Sequence, residues 1–581
     1  MPASFKKANI VPIHKKEAKT IVENYRPISL LSVMSKVLEK IIFKYVYNYF
    51  RENFILSVYQ SGFQTGMSTV TQLIEVYHRF CKAVDDGKEI RVVFLDIKKA
   101  FDKVWHRGLL YKLSRCGIGG NLLIWFEDYL KNRMQRVIIN GQASNWGTLN
   151  AGVPQGSVLG PLLFLLFIND ISNVVNHCQI RLFADDTCLF IEVENTSSDA
   201  EDKEKERKRQ IAANFIDEDL HRIQNWSNSW LVTFSPPKTK SLIISNKNDV
   251  DLNPKIHING YEIDEVKHHK YLGLTFSYNL KWSEHINDIS TKARKRLSLM
   301  TPLKFKLDRR SLEIMYTAFA LPTMEYGNVV WGGTYENDLQ KLEKIHVDAM
   351  RLVTGATARS NINNLYNETK WQSISLRHSN AVAIMLFKIK HDFSPEYLRI
   401  LLPPENTDRT TYQLRNRENT HIPAARLESF KRSFFPFSTR VWNDLPSDLR
   451  NSRSLEEFKT KVQINREVPN ILYYYGERWP AVHHSRLRIG CSKLKFDLCF
   501  NLKVIENPQC SCGARYENAF HFFMQCPNYA DIRLNLFSII SIFTKVTVDT
   551  IFHGHTDLTS EQNEVVIEAV HSFILKSERF L

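Results

Sequence analysis

The alternation of apolar and polar positions divides the chain into helix-like and strand-like stretches. Val33, Val37, Leu38, Ile41, Ile42 and Val46 recur at helical spacing and predict a helix within residues 31–49. A second is predicted over 70–84, after the turn-rich passages Gln60-Ser61-Gly62-Phe63 and Thr65-Gly66-Met67-Ser68-Thr69. Residues 90–96 read as a buried strand that ends on the carboxylate of Asp96, followed by a turn into a helix at 97–102. Residues 158–175 predict an apolar helix introduced by Gly152-Val153-Pro154-Gln155-Gly156-Ser157. In that turn Ser157 suits an N-cap, and Gly156 removes bulk where another group approaches. Apolar residues on both sides of Ala184-Asp185-Asp186 predict two short strands with the acidic pair at their turn.

Helical spacing resumes through Ile216, Leu220, Ile223, Trp226 and Trp230. A strand is predicted over 241–245, a hairpin over 255–263 with Asn259-Gly260 as its turn, and another strand over 271–276. Residues 311–400 read as helical and 403–423 as a linker between prolines. Beyond it, Phe430, Phe434, Phe435 and Trp442 interleave with Lys431, Arg432 and Arg440, which fits either a small core or a base-stacking surface.

With 581 residues the chain is too long for one core, and its 43% hydrophobic and 24% charged content is that of a globular protein. The formal net charge of +15 favours a polyanionic partner, nucleic acid or anionic lipid. Residues 291–310 hold Lys292, Arg294, Lys295, Arg296, Lys304, Lys306, Arg309 and Arg310 against Asp308 alone, a concentration that points to phosphate. The basic residues of 1–30 line a phosphate groove or a solvated face, and the mixed run 199–209 reads as a solvated helix extension or loop. No apolar run approaches the roughly 18 residues that span a bilayer, and the first residues lack a signal-peptide core. Nine cysteines, mostly isolated, argue for a reducing compartment, hence an intracellular and not a secreted protein, in nucleus or cytoplasm.

Two constellations carry chemistry. Asp185 and Asp186 repel each other unless they are solvated or share a divalent cation, and Asp96, closing an apolar strand, is a third candidate for the same ion. Asp102, near a helix start, reads as a cap. Cys510, Cys512, His521 and Cys526 place three thiols and an imidazole within 17 residues, the donor set of a tetrahedral zinc site. Cys491 and Cys499 read as core residues.

Together these stretches resemble the reverse transcriptase of non-LTR (LINE-like) retrotransposons. Phe94-Leu95-Asp96-Ile97-Lys98-Lys99-Ala100-Phe101-Asp102, Gly152 to Ser157, and Phe183-Ala184-Asp185-Asp186 resemble its three catalytic motifs in order. Asn24-Tyr25-Arg26-Pro27-Ile28-Ser29 and Gln60 to Phe63 look like finger motifs, and Lys238-Thr239 and Tyr271-Leu272-Gly273 like later palm motifs. The four C-terminal ligands look like the family's Cys-Cys-His-Cys knuckle.

The resemblance implies an α+β right-hand polymerase. Fingers and palm would occupy 1–280, a thumb 281–345, a helical extension 346–480 and a zinc-knuckle region 481–581. It implies two Mg²⁺ ions held by Asp96, Asp185, Asp186 and the carbonyl of Ile97, and Zn²⁺ on Cys510, Cys512, His521 and Cys526. Phe101 would exclude a 2′-hydroxyl, Gln155 and Gly156 would contact the nascent pair, and Lys238 would assist the leaving group, with Lys240 a close competitor. Tyr271, Leu272 and Gly273 would grip the primer, while Arg26, Arg294, Lys295 and Arg296 would meet the nucleic-acid backbone. The implied partners are an RNA template, a DNA primer or target DNA, and deoxynucleoside triphosphates, with no membrane. Gln64 and Met67 depart from the basic residues the family often carries there. The early start of the fingers, with no endonuclease ahead of them, reads as an N-terminally truncated copy or a partial gene. An inactive nucleic-acid-binding relic is the alternative reading, and a group II intron maturase, which shares the palm but not the knuckle, a more distant one.

Overall fold

The computed structural model describes residues 1–15, 18–194, 202–245, 253–406, 419–463 and 468–581. Residues 407–418 of the linker predicted over 403–423, the start of the mixed-charge run at 199–201, and Lys16 and Glu17 lie outside the described residues. Two compact units emerge. One joins Met1–Lys281 with Ile389–Pro403 and Pro423–Pro436; the other joins Trp282–Lys388 with Pro404–Ile422 and Phe437–Leu581.

The first unit holds two five-stranded sheets. Strands β1 (Lys7–His14), β2 (Tyr25–Leu30), β4 (Arg133–Ile139), β5 (Gln142–Ala143) and β6 (Gly147–Leu149) form one, in the order β2-β1-β4-β5 with β6 on β4. The second runs β12-β9-β3-β8-β7: Asp264–Glu265, Lys240–Ile244, Glu89–Asp96, Asp186–Val193 and Gln179–Phe183. Strand β3 is buried along its length except at Asp96, as a strand flanked on both edges should be.

Helices α1 (Val33–Glu52) and α2 (Thr69–Asp85) form where they are predicted, but the apolar spacing of α1 does not mark its buried face: Val33, Val37 and Ile41 are exposed, while Ser35, Glu39, Val46, Tyr47 and Phe50 are buried. The apolar helix starts later than predicted, at Gly160, and ends at Ile168. Ser157 is not its N-cap. Its Oγ donates to the Pro154 carbonyl at 2.9 Å and accepts the Gly160 N–H at 2.9 Å, closing a turn ahead of the helix. This helix and the long helix Asp202–Trp230 bury Leu162, Leu163, Leu166, Ile216, Leu220 and Ile223 in one core with Leu95, Ile97, Leu182 and Ala184. Because side chains alternate along a strand, burying Leu95 and Ile97 turns Asp96 outward. Truncating Leu163 to Ala in such a core costs ~2–5 kcal/mol.

The hairpin predicted over 255–263 pairs β10 (His257–Ile258) with β11 (Tyr261–Glu262), but residues 271–276 are not a single strand. Strands β13 (His268–Tyr271) and β14 (Leu274–Ser277) pair around a turn in which Leu272 and Gly273 have φ of 46° and 90°. The aromatic residues of 424–464 resolve as core: Phe430, Phe434, Phe435 and Trp442 are all buried. His78 of α2 packs on two of them, with ring centroids 5.3 Å from Phe430 and 4.9 Å from Phe435.

The second unit is built on helices. Ser283–Met300 buries Ile286, Ile289 and Ala293, and the C-terminal helices Ala530–Ser541 and Ser560–Lys576 enclose Phe522, Phe523, Leu536, Val570 and Phe573. Glu368 is buried and receives Arg309, Arg488 and the Ser485 hydroxyl. Among the described residues no helix is long and apolar enough to cross a membrane.

Candidate active site

Strand register brings the predicted acids together. In the β3–β8 ladder Asp96 stands directly opposite Asp186, so both side chains project from the same face. Asp185 occupies the two-residue turn between β7 and β8, after Ala184, whose φ of 53° lies in the left-handed region. An alanine there is strained and must be held by its surroundings.

Gln60 holds it. Its side chain is 1% exposed; its Oε1 accepts the Ala184 N–H at 2.8 Å and the Gly62 N–H at 2.7 Å, and its Nε2 donates to the Ala184 carbonyl at 3.4 Å. The backbone supports the same contact, with Leu182 N–H donating to Tyr59 and Ser61 N–H to Leu182, both at 2.9 Å. Gly62 allows this approach, because a Cβ there would lie 2.2 Å from the Ala184 nitrogen. Sequence reasoning placed Gln60 to Phe63 in the fingers; the segment is also the clamp on the acidic turn. Arg181, the one basic residue close by in sequence, turns away to a bidentate pair with Glu75 at 2.6 and 2.7 Å.

The electrostatics record the crowding. Burial, the Asp185 charge and the Asp96 charge together push Asp186 up to about 6, although its edge meets solvent. Burial and Asp96 likewise raise Asp185, against the pull of Arg26 and Lys15. One carboxylate oxygen of Asp96 is buried without a hydrogen bond; Lys238 Nζ stands 3.6 Å from it. Lys238 is 67% and Asp96 39% exposed, so the pair is a solvated one that an ion can displace. Lys240, the competing lysine, is engaged elsewhere, at 2.6 Å from Asp264.

The Ile97–Phe234 bridge is flanked by Lys98 N–H to Thr233 and Ser235 N–H to Asp96, each 2.8 Å, and neither engages the Ile97 carbonyl. Neighbouring like-charged carboxylates, with one Asp96 oxygen lacking a hydrogen bond, offer the oxygen chemistry that a hard divalent cation takes.

The neighbouring residues sort as follows. Phe101 stacks on Phe164 at 4.6 Å and meets Phe63 edge-on at 6.1 Å. Asp102 caps no helix; it accepts Gln155 Nε2 at 3.0 Å and so orients that amide. Gly156, at φ 114°, would place a Cβ 2.8 Å from the Ser29 carbonyl, while the Gln155 carbonyl accepts the Ser29 N–H at 2.7 Å. Arg26 lies on β2 beside that contact, exposed. Tyr271 does not face solvent: it is buried, with its hydroxyl accepting Gln72 Nε2 at 2.6 Å, leaving only the Leu272-Gly273 turn for a direct grip. In the second unit Arg294 and Lys295 are exposed, but Arg296 donates to the Phe319 carbonyl at 2.6 Å and Arg309 is consumed by Glu368.

The second constellation also closes. The ligand atoms of Cys510, Cys512, His521 and Cys526 lie within 4.8 Å of one another, the one such group among the described residues. Cys510 and Cys526 sulfurs are 3.8 Å apart, and Cys512 Sγ is 3.2 Å from His521 Nε2. Gly513, at φ 94°, turns the chain so that its N–H reaches the Cys510 carbonyl at 3.0 Å. A distorted helical turn, His521–Gln525, returns Cys526, whose N–H bonds the His521 carbonyl at 2.7 Å.

Residues 13–276 match the family described as reverse transcriptase (RNA-dependent DNA polymerase). Over 366 residues the chain is 29% identical to the RNA-directed DNA polymerase from mobile element jockey of Drosophila melanogaster, covering 61% of this chain and 38% of that protein. It is 30% identical over 367 residues to the probable RNA-directed DNA polymerase from transposon BS of the same organism, covering 61% and 39%. The chain thus matches about two fifths of the length of these relatives. Among solved structures, apo telomerase from Candida tropicalis aligns over 80% of this chain and 65% of its own at 9% identity, with a TM-score of 0.31, too slight a likeness to argue from.

Proposed function

We propose that this chain, whose residues 13–276 are a reverse transcriptase domain, is a LINE-like RNA-directed DNA polymerase that extends a primer 3′-hydroxyl on an RNA template. The observation that carries the reading is the register of Asp96 against Asp186 with Asp185 in the adjoining turn. Two magnesium ions bound to such a set supply Lewis-acid activation of the hydroxyl and neutralise charge on the departing pyrophosphate.

The chain's own residues do the rest. Gln60 fixes the turn that presents Asp185. Phe101, packed between Phe63 and Phe164, walls the sugar side of an incoming deoxynucleoside triphosphate and disfavours a 2′-hydroxyl. Gln155, oriented by Asp102, and the bare backbone of Gly156 meet the new base pair. Lys238 leaves Asp96 to stabilise, or protonate, the leaving group. Arg26 in the first unit, and Arg294 and Lys295 in the second, are free to neutralise phosphates. Cys510, Cys512, His521 and Cys526 would hold one zinc ion, and four protein donors of this kind suit a structural site.

The test is primer extension on a homopolymer RNA template with magnesium, wild type against Asp185→Asn. Incorporation by the wild type that falls at least about 1,000-fold in the variant supports the reading. Equal incorporation, or none from either, refutes it and leaves a nucleic-acid-binding relic.

A further inference from the structure

Helix α1 buries the wrong face for a helix chosen by stability alone. Val33, Val37 and Ile41 meet water, while Ser35 and Glu39, one turn apart, are fully buried. A carboxylate taken out of water must be answered by donors. The Glu39 Oε2 accepts the Val158 N–H at 2.8 Å and the Leu159 N–H at 3.1 Å, and its Oε1 accepts the Ser35 hydroxyl at 3.1 Å. Both amides stand immediately ahead of the apolar helix Gly160–Ile168, whose positive end also favours a carboxylate. Glu39 therefore caps this helix from outside, where Ser157 does not.

We propose that Glu39 is a positioning residue for nucleotide selection: by gripping Val158 and Leu159 it fixes Gln155 and Gly156 against the new base pair. The proposal rests on the polymerase reading for what Gln155 and Gly156 touch, and it assigns the grip to a residue outside that contact.

The loop needs a hold on each side. Ahead of Gly156, the Ser29 N–H donates to the Gln155 carbonyl at 2.7 Å, and Asp102 accepts the Gln155 side-chain amide at 3.0 Å. Beyond it, Ser157 alone separates Gly156 from the two residues that Glu39 holds. Ser157 bonds back to Pro154 and forward to Gly160, within the loop, so the hydrogen-bonded tie to another element at this end is Glu39. Gly156 itself has a φ of 114°, a conformation that glycine adopts freely and leaves as freely.

Without the Glu39 carboxylate, the Val158 and Leu159 N–H groups lose their acceptor, and the loop is free to rotate about Gly156. Such a rotation moves Gln155 relative to the template base. It leaves Asp96, Asp185 and Asp186 in place, because their positions come from β3, β8 and the turn before it. The loss thus falls on nucleotide affinity and selectivity, not on the chemical step.

The experiment is single-nucleotide extension by the full chain of a primer annealed to RNA, with matched and mismatched deoxynucleoside triphosphates. Glu39→Leu is expected to raise KM for the matched nucleotide at least about tenfold and to lower discrimination against a mismatch at least about fivefold. The kcat should stay within about threefold and primer–template affinity within about twofold. Glu39→Gln keeps an oxygen for both N–H groups and an amide that can donate to Ser35, so it should stay within about threefold of wild type throughout. In a Gln155→Ala background, Glu39→Leu should add less than about twofold, since both substitutions disable one contact. A purely structural role would lower the amount of active protein and leave KM and discrimination alone. Should Glu39→Leu not fold, Glu39→Asp, which draws the carboxylate back by one methylene, takes its place with the same expected shifts. Amide hydrogen exchange at Val158 and Leu159 should also speed at least about tenfold in the variant. An active wild type with KM and discrimination untouched in the variant, a loss that Glu39→Gln shares, or effects that add in full to those of Gln155→Ala overturn this proposal and leave the polymerase reading standing. Unchanged exchange at the two amides overturns it whatever the activity, whereas a wild type that incorporates nothing sinks both readings.

Discussion

The acidic turn of the first unit and the Cys–His cluster of the second gather their ligands by opposite means. Asp96 and Asp186 come from strands far apart in the chain and meet only because the β3–β8 register aligns them. The four C-terminal ligands lie within 17 residues and are brought together by one glycine turn and one distorted helical turn. Burial and neighbouring like charge raise the pKa of Asp185 and Asp186, and part of the group faces solvent. The cysteines and histidine are mostly buried and form a closed donor set. An open, self-repelling oxygen site suits an ion that must share its coordination with a substrate; a sealed sulfur and nitrogen site suits an ion that holds a fold.

Removing a ligand from the closed site should have the largest effect. Cys526→Ser is expected to abolish stoichiometric zinc and expose the region around residues 490–580 to protease, since structural zinc contributes on the order of 10 kcal/mol to small folds. Limited proteolysis with metal analysis checks it. Intact, zinc-free and protease-resistant protein would mean that the C-terminal core, not the metal, holds this region.

The open site should break more locally. Gln60→Leu strands the Ala184 and Gly62 N–H groups, each loss costing ~1–3 kcal/mol. Extension is expected to slow about 100-fold in kcat, with KM for primer–template within twofold and the fold intact by circular dichroism. Gln60→Glu, which keeps the acceptor and when protonated also the donor, should recover activity as pH falls. A KM effect without a kcat effect would place Gln60 in primer–template binding and not in the support of the acidic turn.

The smallest effects are in pH dependence, and the two regions should differ in sign. Asp186 is raised in the folded chain to about 6, above its unfolded value. Its contribution is therefore fully present below about pH 4 and lost as pH rises through 6. In metal-free protein Asp186→Asn should raise the thermal midpoint at pH 8 and change it little at pH 4. In the C-terminal region burial holds His571 and His483 down at about 4, with Arg488 acting on the first and Arg486 and Lys493 on the second. Their contribution is present above pH 6.5 and lost as pH falls towards 4. Hydrogen exchange at pH 7 and pH 4.5 should show this region opening first in acid.

Both constellations were legible in the sequence, for different reasons. The cluster is local, so spacing alone exposes it. The acids are distant, but each ends or interrupts an apolar run, which marks a strand terminus without its partner. What could not be read are the contacts that need tertiary structure. Gln60 reaches the acidic turn only through a parallel bridge to Leu182. Tyr271 is buried because α2 supplies Gln72 to its hydroxyl, and Arg296 and Arg309 are satisfied within the second unit, which net charge cannot reveal. Lys238 and Lys240 are two residues apart, and only the partner Asp264 tells them apart. Helix ends failed for a similar reason: Ser157 closes its own turn before the helix begins.

The central claim is that Asp96, Asp185 and Asp186 act as one cation site, and manganese binding tests it most directly. In the zinc-loaded chain, without nucleic acid, electron paramagnetic resonance should detect bound Mn²⁺. Asp96→Asn and Asp185→Asn should each weaken that binding at least about tenfold while zinc content is unchanged. Mn²⁺ affinity that either substitution leaves untouched would contradict the account.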